Sequence, residues 1–314
     1  MSKTNPAEEK LIRNFPLRPV ALAEGLFVTL VWASSFVFLK MAVDDIGPLT
    51  VAGLRYSLGF LVLLPLLVFR KTTWPISPRS WKRLFIIGFS AYTLGNGALS
   101  WGLKYIPATT GSFLMSFLPL LVLLVSAAYL NEIPTRRQII GIIASLVGSA
   151  VFFSSGLQTG EPLGIAIVAV GLIGFVVFGI VGRDIAKVRE VDTLSLTAIP
   201  LAIGGGLLLL IALPIEGLPT FMPKTWHIIL VLATINTALA YIVYNHALQV
   251  LTAIEMNALL NLSPLGTAFL AWFLLGESLT VIQIVGMVIV IAGVMLVQRV
   301  QSPKGAKDES HQSC

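Results

Sequence analysis

The chain is short of charge. Asp, Glu, Lys and Arg make up 11% of its 314 residues, against about 25% in a soluble domain. A soluble fold of this size needs more polar surface than that, which excludes ordinary cytoplasmic enzymes, nucleic-acid binders and secreted scaffolds. Cysteine is nearly missing too. The one cysteine, Cys314, forms no intrachain disulfide and lacks the residues that must follow a prenylated cysteine. His246 stands alone, without metal-ligand spacing. No Gly-x4-Gly-Lys-Ser/Thr phosphate loop, His-Glu-x-x-His, Gly-x-Ser-x-Gly or paired-cysteine motif occurs. ATP hydrolysis by that route is therefore out, and neither a cofactor nor a metal is expected. Acids within apolar runs are too few for a rotary or redox proton pump.

What fills the chain is hydrocarbon: 56% hydrophobic residues and a mean hydropathy of +0.90. A bilayer crossing takes about 20 apolar residues. Ten such runs can be read, at 20–41, 49–69, 84–103, 108–130, 138–153, 163–181, 193–213, 226–243, 253–275 and 281–297. The expected fold is an all-α polytopic membrane protein of ten transmembrane helices, with no separate soluble domain. The polar first 19 residues exceed a signal n-region and no small-residue cleavage site follows the first run, which is read as a retained anchor. The tail 299–314 reads as disordered.

The charge of +6 acts as a topology signal. With the N-terminus cytoplasmic, 17 of the 21 Lys and Arg fall in cytoplasmic segments. Only Lys40, Lys104 and Lys224 lie outside, and Arg55 lies within a run. Both termini are expected inside the cell, in the plasma membrane.

A shift of 145 residues aligns 103–148 with 248–293 without a gap and matches 12 of 46 positions, where composition alone gives about four. The matches include Pro119/Pro264, Glu132/Glu277, Thr135/Thr280, Gln138/Gln283, Gly141/Gly286 and Gly148/Gly293. Each half, 20–154 and 161–298, holds five runs. An odd number makes the second half enter the membrane from the opposite side, giving an inverted repeat suited to alternating access.

Trp32-Ala33-Ser34-Ser35-Phe36 and Leu54-Arg55-Tyr56 resemble the first repeat of EamA-type transporters, and Leu274-Leu275-Gly276-Glu277-Ser278-Leu279-Thr280 resembles the second. The chain thus resembles the drug/metabolite transporter superfamily over about residues 20–298. That resemblance implies ten helices in two five-helix repeats and export of amino acids, related metabolites or drugs.

The polar residues inside the runs are the site candidates. Ser112, Ser116 and Pro119 share one helix face at i, i+4 and i+7, and the 145-residue shift puts Asn257, Asn261 and Pro264 on the matching face. Asn inside a span is costly without a partner or a watered cavity, and proline frees a carbonyl one turn back. Two polar stripes ending at kinks suit a midplane site with a gating bend; helix–helix hydrogen bonding is the alternative. Asn96 and Ser100, and Tyr241 and Asn245 with Asn236 earlier, repeat the logic, their rings able to stack on a solute. Trp101, Tyr244 and Trp226 read as interface anchors. Ser34 and Ser35 draw interest through the resemblance. Arg55 is expected to snorkel outward or pair with Asp44 or Asp45, with a solute-carboxylate role the minority reading. Glu24 and Glu255 read as proton-coupling carboxylates or as solvated first-turn acids. Glu132 and Glu277 are expected to tie the following turns through Thr135 and Thr280.

The function expected is a secondary transporter, more an exporter than an importer, of a small organic solute. Amino acids or analogues come first, with protons as a coupling partner. An intramembrane enzyme acting on lipid lacks a visible nucleophile or metal set, and a channel-like facilitator fits the two proline kinks less well.

Overall fold

The computed structural model describes residues 17–43, 45–69, 77–106, 108–130, 132–154, 160–189, 191–219, 222–275 and 279–299. Most of segment 1–19, most of the tail 299–314, and Asp44 and Glu277 lie outside them. Every element among the described residues is helical. We label the rods in chain order. α1 is Arg18–Val43 and α2 is Pro48–Phe69; α3 (78–102) joins Pro78–Gly88, a π-helical stretch Phe89–Asn96, and Gly97–Gly102. α4 consists of Ala108–Met115 and Leu118–Tyr129, and α5 is Arg136–Phe153. α6 is Pro162–Val188 and α7 is Thr193–Glu216; α8 (223–247) joins Pro223–Ala233, a π-helical stretch Thr234–Leu239, and Ala240–Ala247. α9 consists of Ala253–Leu260 and Ser263–Leu275, and α10 is Val281–Gln298. Among the described residues, seven helices, in α2, α4, α5, α6, α7, α8 and α10, are long and apolar enough to cross a membrane. Leu124, Ile143, Ile173, Leu210 and Val288 face outward, while Asn236, Asn245, Asn257 and Asn261 are buried. A soluble protein has the reverse arrangement.

Local sequence sets the boundaries. Pro162 and Pro223 occupy first turns, where no N–H is needed. Thr135 with Gln138 and Thr280 with Gln283 form capping boxes. The 145-residue register reappears in three dimensions: the π-stretches start at Phe89 and Thr234, and the breaks open after Met115 and Leu260. α5 and α10 start at Arg136 and Val281, again in that register. Each break lies one turn before a proline that cannot donate back, and three-residue turns fill it, Phe117 N to Leu114 O at 3.1 Å and Leu262 N to Leu259 O at 2.9 Å.

Packing is reciprocal. α1 packs on α8 and α9 as α6 packs on α3 and α4, while α2 meets α7 and α5 meets α10. Exchanging each rod with the one five later preserves this pattern. α5 and α10 approach closely through glycine: a Cβ at Gly141 would lie 2.6 Å from Gly293 O, and one at Gly148 would lie 2.9 Å from Gly286 O.

Two polar ends close the bundle. At one end Arg18 pairs with Glu255, Arg83 with Asp184, and His246 Nδ1 lies 2.7 Å from Glu24 Oε1. There too Arg183 donates to Glu132 at 2.9 Å and to Leu248 O at 2.6 Å. At the other end Glu216 accepts from Leu49 N, from Thr50 N and hydroxyl, and from Lys104. Thr225 donates to Asp45 there. Glu132 and Ala253 meet at the first end, so the end of α4 lies beside the start of α9 and these repeat-related rods run in opposite directions.

Candidate functional site

The α4 and α9 breaks, Asn96 and the α3 segment after it, the α8 segment that follows its π-stretch, and parts of α1, α2 and α6 surround one cavity of about 180 Å³. Ser112, Ser116, Pro119, Asn257, Asn261 and Pro264 all line it, so the two polar stripes converge on a shared space. Asn257 Nδ2 donates to Ala253 O at 2.9 Å and Asn261 Nδ2 to Ser145 at 3.3 Å. These bonds fix the amides and leave each Oδ1 without a donor among the described residues. Ser116 returns its hydroxyl to Phe113 O at 2.6 Å. Ser263 Oγ is buried with no partner among the described residues, an orphan that a solute or water at the cavity wall would satisfy.

Asn96, Ser100 and Tyr241 also line the cavity. Asn96 Nδ2 donates to Ala91 O at 2.8 Å. One face is aromatic. Trp32 lies 5.0 Å from Tyr241 and 5.5 Å from Tyr244, Phe178 stacks on Tyr244 at 5.3 Å, and Tyr92 meets Tyr56 at 4.8 Å. Such rings offer an organic solute flat apolar contact.

The π-stretch in α8 supplies the geometry around Arg55. Asn236 O accepts from Trp32 Nε1 at 3.0 Å and from Arg55 Nη2 at 3.1 Å, while Asn236 Nδ2 donates to Val31 O, Ser34 and Ser35. A π-turn displaces backbone groups from the α-helical ladder, and here one carbonyl serves two side chains. The stretch therefore knits α1, α2 and α8 together at the cavity wall.

Several expectations need correction. Arg55 does not snorkel outward: it is 8% exposed, lines the cavity and donates through Nε to Thr237 at 2.7 Å. Ser34 bonds back to Val31 O and lies outside the lining, where Ser35 takes the place. Asn245 lies outside the lining as well, because its amide donates to Thr197 on α7 at 2.9 Å. Glu24 and Glu255 are not solvated helix-start acids. Glu24 faces His246, and Glu255 is buried against Arg18 and closes a capping box with Thr252. Glu132 ties α6 to the start of α9 through Arg183 and Ala253 N rather than bonding Thr135, whose caps come from Gln138. Tyr244 is no interface anchor, being 1% exposed and part of the lining; Trp101 is exposed at the end of α3. Phe175, Phe178 and Ser263 complete the wall without having been anticipated. Over residues 163–181 α6 is apolar on every side, so no period marks its cavity face.

The profile of the EamA-like transporter family matches residues 20–154 and again 162–299. The chain belongs to the EamA-like transporter family. EamA relatives span most of the chain. An uncharacterised transporter, YyaM, of Bacillus subtilis is 26% identical, covering 83% of this chain and 88% of the relative. An S-adenosylmethionine/S-adenosylhomocysteine transporter of Chlamydia muridarum is 24% identical over 84% and 87%. A probable terminal-alkyne amino-acid exporter of Streptantibioticus cattleyicolor is 28% identical over 88% and 92%. A solved crystal structure 17% identical covers 90% of this chain and 98% of its own, with a TM-score of 0.74; the fold is shared. The chain is a membrane protein of transporter type, and its partner is a small solute.

Proposed function

We propose that the protein is a secondary active exporter of a small organic metabolite, amino acids or analogues first, working by alternating access. All ten rods cross the plasma membrane as two inverted five-helix halves, with both termini cytoplasmic. One observation carries the reading: residues 145 apart, Ser112/Asn257, Ser116/Asn261 and Pro119/Pro264, line a single cavity between the halves. Pseudo-symmetric halves around one site can exchange an outward-open and an inward-open arrangement. The opposite run of α4 and α9 and the cation bias of the loops support the inversion. The similarity to the probable terminal-alkyne amino-acid exporter of Streptantibioticus cattleyicolor supports amino-acid-like solutes and export.

The cavity is asymmetric in a way that fits the outward-open state. Leu103 lines it, yet Leu248, 145 residues on, is 0% exposed with its carbonyl held by Arg183. Leu39 and Ala52, near the Lys104 end, also reach the cavity. The Arg18 end, cytoplasmic under the positive-inside rule, is packed shut by ion pairs. Return to the inward-open state then breaks the Arg183, Arg18 and Arg83 pairs and closes the Leu39–Leu103 mouth. A solute panel in vesicles reconstituted with the full chain, with and without a pH gradient, tests substrate, direction and proton coupling together. Accumulation of an amino-acid analogue against its gradient is expected; no movement of any solute contradicts the reading.

A further inference from the structure

Arg55 differs from the other arginines whose ion pairs tie the rods together. Arg18, Arg83 and Arg183 each face a carboxylate, from Glu255, Asp184 and Glu132. Arg55, buried as Arg183 is, faces none among the described residues. Its Nε donates to Thr237 and its Nη2 to Asn236 O, and its guanidinium lies 5.2 Å from the Tyr56 ring centre. A guanidinium carries five N–H donors in a planar fork. Two are used here to fix the fork's orientation, and three remain at the cavity wall.

Among the described residues the rest of the wall is neutral. Apart from Arg55, the described lining residues are apolar side chains, Ser, Asn and aromatic rings, with no Asp, Glu, Lys or His among them. A buried cation without a counter-ion is unfavourable, and the imbalance is relieved when an anion binds. One cation in a neutral, low-dielectric cavity matches one negative charge. A phosphate dianion would leave surplus charge in the cavity.

We infer that Arg55 is the carboxylate-binding residue of the solute site: its free N–H donors take the carboxylate of a monoanionic organic acid, whose apolar body lies along Trp32, Tyr241 and Phe178. This deepens the transport reading and rests on the cavity being the solute site. It carries a sharper consequence for amino acids. An α-ammonium finds only neutral acceptors, such as the Asn257 and Asn261 amide oxygens, so the amine is dispensable while the carboxylate is required. N-acylated amino acids and simple aromatic acids are ligands on the same footing as the amino acid, and the primary amide is not.

The test uses the purified full chain and four probes: L-phenylalanine, N-acetyl-L-phenylalanine, phenylacetate and L-phenylalaninamide. Thermal stabilisation reports binding, and counterflow in vesicles reports transport. The three carboxylates are expected to raise Tm at concentrations at least about tenfold below those needed for the amide, as a charge-assisted bidentate contact requires. In Arg55→Gln that preference falls to near unity, and in Arg55→Lys, which keeps the charge without the fork, it is partly restored. A purely structural role for Arg55 would lower Tm without ligand and leave the carboxylate preference intact, and that result overturns the inference. So does equal binding of amide and acids by the wild type. Carboxylate-selective stabilisation without counterflow would uphold the Arg55 site and contradict transport, so the two claims fail separately.

Discussion

Asn257 and Asn261 sit one helical turn apart on the cavity wall, with their amide nitrogens tied to Ala253 and Ser145. Replacing either by Leu removes a fixed acceptor from the wall and leaves the lipid-facing surface untouched. Solute flux is expected to be abolished at unchanged membrane abundance, measured by vesicle uptake beside an immunoblot; normal flux would remove that residue from the site. Glu255 is a contrasting case. Glu255→Gln keeps the capping-box acceptor toward Thr252 and loses only the charge on Arg18. Because Glu255 is no part of the cavity wall, the pH profile of transport is expected to stay unchanged, and a flattened profile would restore the carboxylate as a proton-coupling group. What could be read from sequence at this scale was depth, not direction. Arg55 and the paired Asn were conspicuous because polar atoms are rare in apolar runs. Whether Arg55 turned to lipid headgroups or to the interior depended on the Asn236 carbonyl, which a π-turn exposes and no residue type announces.

At the scale of elements, α4 and α9 carry the bends and α5 and α10 carry the rigid seam. Pro119→Ala and Pro264→Ala each restore a backbone donor one turn after a break. Each is expected to hold or raise Tm, since an interior proline costs about 3 kcal/mol, while lowering the transport rate because a straightened rod loses its hinge. Unchanged rates in both variants would separate the breaks from gating. The seam has no such slack. Gly141→Ala places a methyl group against Gly293 O, and overpacking of this kind costs about 1–3 kcal/mol, readable as a fall in Tm in detergent. The 145-residue register foretold the breaks, because prolines at matching positions report a backbone demand directly; the glycine matches marked the repeat without showing that α5 and α10 pack on each other. The face of α6 that supplies Phe175 and Phe178 stayed hidden, since an apolar residue toward lipid and one toward a cavity look alike in sequence.

For the whole molecule, the proposed alternation makes the Arg18 end a lock. Arg183 holds both Glu132 and the Leu248 carbonyl, joining α6, the α4 exit and the α8 exit in one contact. Arg183→Gln leaves Glu132 without its cation at a site where breaking a buried pair costs about 3–5 kcal/mol. The expected outcome is a lowered Tm together with easier opening at that end. Cation bias and the odd number of apolar runs are what the proposed inverted arrangement rests on in the sequence. Which end would be shut was not readable, because it follows from pairings between residues more than 50 positions apart.

The central claim is that one cavity is reached in turn from the two sides of the membrane. The most direct measurement places a single cysteine at Ser116, on a Cys314→Ser background that leaves no other thiol. It follows alkylation by a membrane-impermeant maleimide in right-side-out and inside-out vesicles, with and without transported solute. The account predicts modification from both faces, slowed by solute from each. Modification from one face only, indifferent to solute, would contradict it.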